Sequence, residues 1–334
     1  MIIVNVIYTP GTVHALSRFI PLLVGHTPWR YRLIANHCRP AERRLLRWHA
    51  QGSSRLTVHQ LPTTNEVMPL GKALCTLAAT YASDEVFAFA DSDIVVTGDI
   101  AREFEPLLNR HEAVFSGAPI WATDSDQILT DDQTEVAGPH HRTAAGIALG
   151  SSYFGLYHRT ALDRVMRECR VTLDKYTDLT SCDPRFQAFL DNLGLARASY
   201  VPPKVLNLGY TYLGLPIAYH ESPHLHHIGG YSMATYARSV TAASAGDTPT
   251  SAAEILDYRE ERPHMRRKTA VCDRLIRSFA TIDRIGRPPT DNTPLPEPLE
   301  ERVQLIERIY ASQVVAQPRP TFEETTDPAT ASRR

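Results

Sequence analysis

Two short, mostly apolar runs, Ile2–Tyr8 (with Asn5 its one polar residue besides the tyrosine hydroxyl) and Val86–Ala90, narrow what this chain can fold into. A strand with one wet face alternates apolar and polar residues. A run with no alternation is covered on both faces, as in a parallel sheet wrapped by helices. The intervening sequence supplies those helices. Thr9-Pro10-Gly11 breaks the first run, and Ala15, Leu16, Phe19, Leu22 and Leu23 then form a helical stripe. Tyr31–Ala35 reads as a second strand, and Pro40 starts a helix running through Trp48. Leu56–Leu61 is a third strand, Leu70–Tyr81 a helix, Val86–Ala90 the fourth strand and Val114–Gly117 the fifth. This rhythm predicts an α/β fold, a mostly parallel, doubly wound sheet with flanking helices. Such sheets bind ligands at the carboxyl ends of their strands.

Beyond the fifth strand the pattern loosens. Trp121–Ala145 is long, polar and acidic, which suits a lid over a ligand better than a plain connection. Helices are expected from Thr160 to about Cys169 and from about Pro184 to Leu193, the second closed by Gly194. Ala242–Ala253 reads as a linker. Two further helices, about His264–Ile285 and Leu299–Val315, flank a proline-rich stretch and form a C-terminal helical extension. Their Arg266, Arg267, Arg274 and Arg277 read as a solvated face, with a homodimer arm or a phosphate-binding face as the alternatives. The expected division is a nucleotide-binding and catalytic unit over 1–235, a linker and helical region over 236–315, and a disordered tail over 316–334.

Composition excludes several classes. With 35 Lys+Arg against 37 Asp+Glu, the chain has no basic field to hold a polyanion, so no nucleic-acid partner is expected. No stretch approaches the roughly 20 apolar residues of a transmembrane helix. The start lacks the charged n-region and cleavage site of a signal peptide, and the five cysteines form no CxxC pair. A cytoplasmic location is the expectation that follows.

The chemistry concentrates where the fourth strand ends, in Ala90-Asp91-Ser92-Asp93-Ile94-Val95-Val96-Thr97-Gly98-Asp99. On an extended backbone, residues i and i+2 point to one side, so Asp91 and Asp93 would share a face. Two carboxylates that close repel, and a hard divalent cation, Mg²⁺ or Mn²⁺, gives them a reason to coexist while leaving positions for phosphate oxygens. A calcium loop of EF-hand type fits less well, because its fifth position would be Val95 and its glycine falls two places late. A second cluster packs four of the chain's 14 histidines, His220, His224, His226 and His227, into eight positions, followed by Gly229 and Gly230. Imidazole is a good Mn²⁺ ligand, and glycine permits close backbone approach.

The run Phe87–Ile100 resembles the GT-A glycosyltransferases, nucleotide-sugar enzymes with an Asp-x-Asp motif after a hydrophobic strand. The likeness covers roughly residues 1–235 and implies a GT-A-like fold. It places Asp91 toward the ribose or metal and Asp93 on the metal held by a diphosphate. His227-Ile228-Gly229-Gly230-Tyr231-Ser232 resembles that family's late histidine and glycines. This makes His227 the third metal contact, His226 its reserve, and Gly229 and Gly230 neighbours of the diphosphate. Tyr8 and Thr9 fall where the family cradles the nucleotide, and Lys72 falls where a basic residue approaches it. Asp183, before the helix at Pro184, is the implied base or sugar contact, with Asp178 in reserve; the plain alternative for Asp183 is a helix N-cap.

The resemblance implies a metal-dependent glycosyltransferase that takes a nucleoside diphosphate sugar donor and a small-molecule or glycan acceptor. Two alternatives stand beside it. One is a nucleotidyltransferase acting on a sugar phosphate, although Thr9–His14 carries none of the lysines or arginines its phosphate loop would need. The other is a non-catalytic protein that binds metal or sugar.

Overall fold

A computed structural model describes residues 1–62, 66–133, 135–136, 138–197, 199–235, 263–290 and 294–318. The strands are β1 (Ile3–Tyr8), β2 (Arg30–Ala35), β3 (Leu56–Gln60), β4 (Val86–Asp91), β5 (Ile94–Val96), β6 (Ala113–Ser116), β7 (Ile128–Leu129), β8 (Glu135–Val136), β9 (Arg142–Thr143), β10 (Phe154–His158), β11 (Ser199–Tyr200), β12 (Ile217–Tyr219) and β13 (Leu225–His227). The helices are α1 (Val13–Leu16), α2 (Ile20–His26), α3 (Pro40–Gln51), α4 (Leu70–Thr80), α5 (Ala101–Leu108), α6 (Arg159–Cys169), α7 (Pro184–Asn192), α8 (Lys204–Tyr212), α9 (Pro263–Ile285) and α10 (Leu299–Ala316).

Seven strands form the main sheet in the order β12-β6-β10-β4-β1-β2-β3. Strands β4, β1, β2 and β3 run parallel, β12 is parallel to β6, and β10 is antiparallel to both its neighbours. The mostly parallel sheet expected from the apolar runs is therefore present. Alternate residues of each strand feed opposite layers. Val4, Val6, Tyr8, Leu33, Ala88 and Leu156 join one core with side chains of α2, α3, α5, α9 and α10. Ile7, Ile34, Phe87, Phe89, Phe115 and Tyr157 join the other with α4, α6, α7 and α8. Helices α9 and α10 thus share a core with β1, through Val271, Leu275, Phe279, Val303, Ile306 and Tyr310.

Four expectations change. The stripe from Ala15 to Leu23 is not one helix: α1 gives way to a 3-10 turn over Ser17–Phe19 before α2 begins. Pro21 has no N–H to return to the Ser17 carbonyl, so a continuous α ladder fails there. Only part of the arginine face of α9 is solvated: Arg266 and Arg277 are exposed, but Arg267 and Arg274 are not. Arg274 is buried, with Nε and Nη2 donating to Glu307 at 3.0 Å each and Nη1 to Glu300 at 2.6 Å. Arg267 donates to the carbonyl of Trp121 and to Asp126.

The 121–145 segment is not a wholly polar cover. It buries Trp121, Gln127, Leu129, Val136, His140 and His141, and Arg302 donates to the carbonyls of Ile120 and Ala122 at its start. Helix α8 was not expected at all: Lys204 through Tyr210 are all buried, so no amphipathic stripe marks it. The expected linker at 242–253 and the tail beyond 318 lie outside the described residues.

Candidate active site

The acid pair is built by a reversal of the chain. Strand β4 ends at Asp91, whose N–H donates to the Tyr153 carbonyl at 2.8 Å, and a turn at Ser92-Asp93 leads into β5. The two carboxylates therefore converge across a turn, not along an extended run. Strand β5 pairs antiparallel with β13, setting His227 opposite Ile94, and the Ile228 N–H closes onto the Asp93 carbonyl at 3.0 Å. On its other side the His227 carbonyl accepts from the Ile120 N–H at 2.8 Å. The histidine is held by backbone from both directions, which is how a residue far along the chain reaches the end of β4.

Asp91, Asp93 and His227 each offer one ligand atom, and these atoms lie within 4.8 Å of one another. His227 Nε2 stands 3.2 Å from Asp93 and 3.5 Å from Asp91. Its Nδ1 donates to the Gly117 carbonyl at 2.8 Å, so in the neutral ring Nε2 carries the lone pair. Nε2 is buried and has no hydrogen-bond partner. Two oxygens and one imidazole nitrogen, the latter oriented by a carbonyl behind it, form a donor set that fits a divalent cation. The Tyr153 ring lies 4.3 Å from that of His227 and fixes its plane.

The electrostatics of the three groups are those of a site built for a positive charge. Burial lifts the Asp91 carboxyl to about 6, with the contact to His227 opposing and the like charge of Asp93 adding. Burial also pulls Asp93 upward, but the charge and contact of His227 and the Tyr231 N–H outweigh it and hold Asp93 below the usual range. For His227 burial works downward, and the charge of Asp93 with the contacts to both carboxylates overcomes it, raising the imidazole to about 9. A proton on His227 offsets the carboxylates in the protein alone, in the place a cation would take.

The group opens into a cavity of about 880 Å³. Thr9, Asn36, Asp91, Asp93, Gly229 and Gly230 line it, together with Trp121, Ser152, Tyr153 and Lys268. Thr9 Oγ1 is buried there without a partner. Of the residues singled out from sequence, the structure brings together Thr9, Asp91, Asp93, His227, Gly229 and Gly230. It leaves the others elsewhere. Tyr8 packs its ring into the core, and Lys72 is exposed on α4. His226 faces Thr97, whose hydroxyl is 3.2 Å from its Nε2. Asp183 accepts from the N–H groups of Arg185 and Phe186 as the N-cap of α7, and Asp178 accepts from Thr180; neither lines the cavity.

The glycines make room for protein. Both have left-handed φ, +77° at Gly229 and +93° at Gly230. A Cβ on Gly229 would stand 2.5 Å from Pro119, and one on Gly230 would stand 2.1 Å from the Lys268 side chain. Trp121 Nε1 donates to the Gly229 carbonyl at 2.7 Å. Tyr153 belongs to the segment Gly146–Tyr157, which resembles the GT-A family's lining of the donor sugar, and Trp121 opens the stretch expected to cover the ligand; both line the cavity. Lys268 sits in no local motif and arrives by tertiary packing.

No family model matches the chain, and no curated protein matches it. Among solved structures it is similar to the galactosyltransferase LgtC in complex with donor and acceptor sugar analogues, at 9% identity over 75% of this chain and 98% of that one, TM-score 0.42. It is also similar to residues 1–349 of TarS from S. aureus, at 12% identity over 94% of this chain and 81% of that one, TM-score 0.36. A Bacillus anthracis protein assigned as a glucose-1-phosphate thymidylyltransferase matches at 13% identity over 75% of this chain and 98% of that one, TM-score 0.37. These likenesses are distant and assign no chemistry, which rests on the residues of the site.

Proposed function

We propose that the chain is a metal-dependent glycosyltransferase that moves a sugar from a nucleoside diphosphate sugar to an acceptor hydroxyl or amine. The observation that carries this reading is the Asp91/Asp93/His227 group, set at the carboxyl end of a parallel strand and opening into a cavity large enough for a nucleotide sugar. Asp91, Asp93 and the His227 Nε2 would hold Mn²⁺ or Mg²⁺. When bound, such an ion neutralises charge that develops on a departing diphosphate.

The chain's own residues do the rest. Gly117 and Tyr153 fix the histidine ring so that its lone pair stays aimed between the carboxylates. Thr9, a lining residue at the end of β1 whose buried hydroxyl has no partner, would hydrogen-bond the nucleotide. Apolar walls, with Ile7, Met68 and Leu70 on one side and Val201 and Met265 among the others, exclude water from the transfer.

The test is a thermal-shift comparison of nucleoside diphosphates and triphosphates with Mn²⁺, followed by hydrolysis of a panel of nucleotide sugars. Stabilisation by one diphosphate with metal, and slow release of sugar from its nucleotide sugar, are expected. Stabilisation by a triphosphate alone points to nucleotidyl transfer. Stabilisation by metal or sugar with no turnover of any donor points to a binding protein.

A further inference from the structure

The acid group and the cation it would hold account for only part of the charge a diphosphate brings. Among the described residues that line the cavity, Lys268 is the one lysine or arginine. It comes from α9, outside the sheet and outside every motif in the sequence. Its Nζ lies 5.8 Å from the centre of the Trp121 ring and 3.8 Å from Met233 Sδ, and both Trp121 and Met233 also line the cavity. The Lys268 stem runs where a Gly230 side chain would be: an added Cβ would fall 2.1 Å from Cε and 2.9 Å from Nζ. Asp91 and Lys268 line the same cavity.

Resting on the donor reading above, we infer that Lys268 meets the diphosphate of the donor, its stem crossing the space that a side chain at position 230 would fill. Helix α9 is then a working wall of the site. An ammonium at this place offsets the negative charge of the diphosphate beside the cation, as a point charge on a stem that runs past Trp121 and Gly230.

The experiment titrates UDP, GDP, CDP, ADP and dTDP, each with Mn²⁺, into the full chain by calorimetry. The tightest is then compared with its own nucleoside monophosphate. Lys268→Met, which keeps the stem and removes the charge, should weaken the diphosphate on the order of tenfold or more. It should change the monophosphate much less and leave the thermal midpoint of the unliganded protein in place. Equal diphosphate affinity in wild type and Lys268→Met overturns the inference and leaves the functional reading standing. Equal losses for the diphosphate and monophosphate overturn it too. Failure of the wild type to bind any of the five diphosphates with metal overturns the functional reading itself.

Discussion

Replacing Asp93 by Ala takes away a buried carboxylate that accepts from the Tyr231 N–H and stands 3.2 Å from the His227 ring nitrogen. Metal-dependent binding of a nucleoside diphosphate should fall by at least the roughly 10–100-fold that even outer-sphere changes cost metal sites. His227→Ala should do the same and His226→Ala should not, because His226 faces Thr97. Calorimetry with Mn²⁺ decides; unchanged affinity in both Asp93→Ala and His227→Ala would remove the metal site. A second buried charge gives a pH signature. Lys204 is 1% exposed, its Nζ donates to the Gly138 carbonyl, and burial lowers its pKa to about 7. Unfolded, the amine titrates near ~10.4. Between these values the unfolded chain binds the extra proton, so this group's contribution to stability rises with pH. Wild type should therefore gain on Lys204→Met between pH 7 and pH 9, by at most about 1.4 kcal/mol per unit. Urea unfolding of both proteins at the two pH values measures it, and a constant difference would show that the amine is not desolvated. The two aspartates and His227 were legible in sequence because each sits in a local pattern, an acid pair after an apolar strand and a histidine before glycines. Lys204 and Lys268 were not, since burial and cavity lining have no local signature.

Local pattern was enough for helices with one wet face and failed for the helix with none. Helix α8 is buried from Lys204 to Tyr210 and contains Gly209, which lowers helix propensity. The glycine is there for packing: an added Cβ would stand 2.6 Å from Val165 Cγ1 and 3.1 Å from Cys169 Sγ on α6. Gly209→Val should destabilise by about 1–3 kcal/mol through overpacking, read as a lower urea midpoint with the slope unchanged. A midpoint within error of wild type would mean that α6 and α8 can separate at no cost. The same logic explains Asp183. Its place before Pro184 reads equally well as a base or a cap, and the structure spends its carboxylate on the N–H groups of Arg185 and Phe186. Only the fold could show that this end of α7 does not line the cavity.

At the scale of the whole molecule, α9 and α10 are joined to each other by a buried charge cluster and to the sheet by apolar contact. Arg274 and Glu307 are both nearly inaccessible, and Ser278 donates to Glu307 at 2.6 Å. Glu307→Ala strands a buried guanidinium with Glu300 as its remaining carboxylate and should cost about 3–5 kcal/mol in urea unfolding. Arg274→Met combined with Glu307→Leu should recover most of that loss. A small effect of the single change would mean that the cluster is hydrated. Arg274 looked like part of a solvated face because sequence shows its charge and not the second helix that covers it.

The route by which His227 reaches the acid pair has a consequence for how the protein is made. Asp93 and the Tyr231 N–H that bonds it are 138 positions apart, and His227 is 110 positions from the Gly117 carbonyl that orients it. At about 5–20 residues per second, a ribosome finishes β4 roughly 7–28 s before it delivers the strand carrying the histidine. For that interval two like charges sit side by side at the end of an apolar strand, with neither imidazole nor lysine to offset them. The imidazole and the Tyr231 N–H that face this acid pair both come from the last third of the chain.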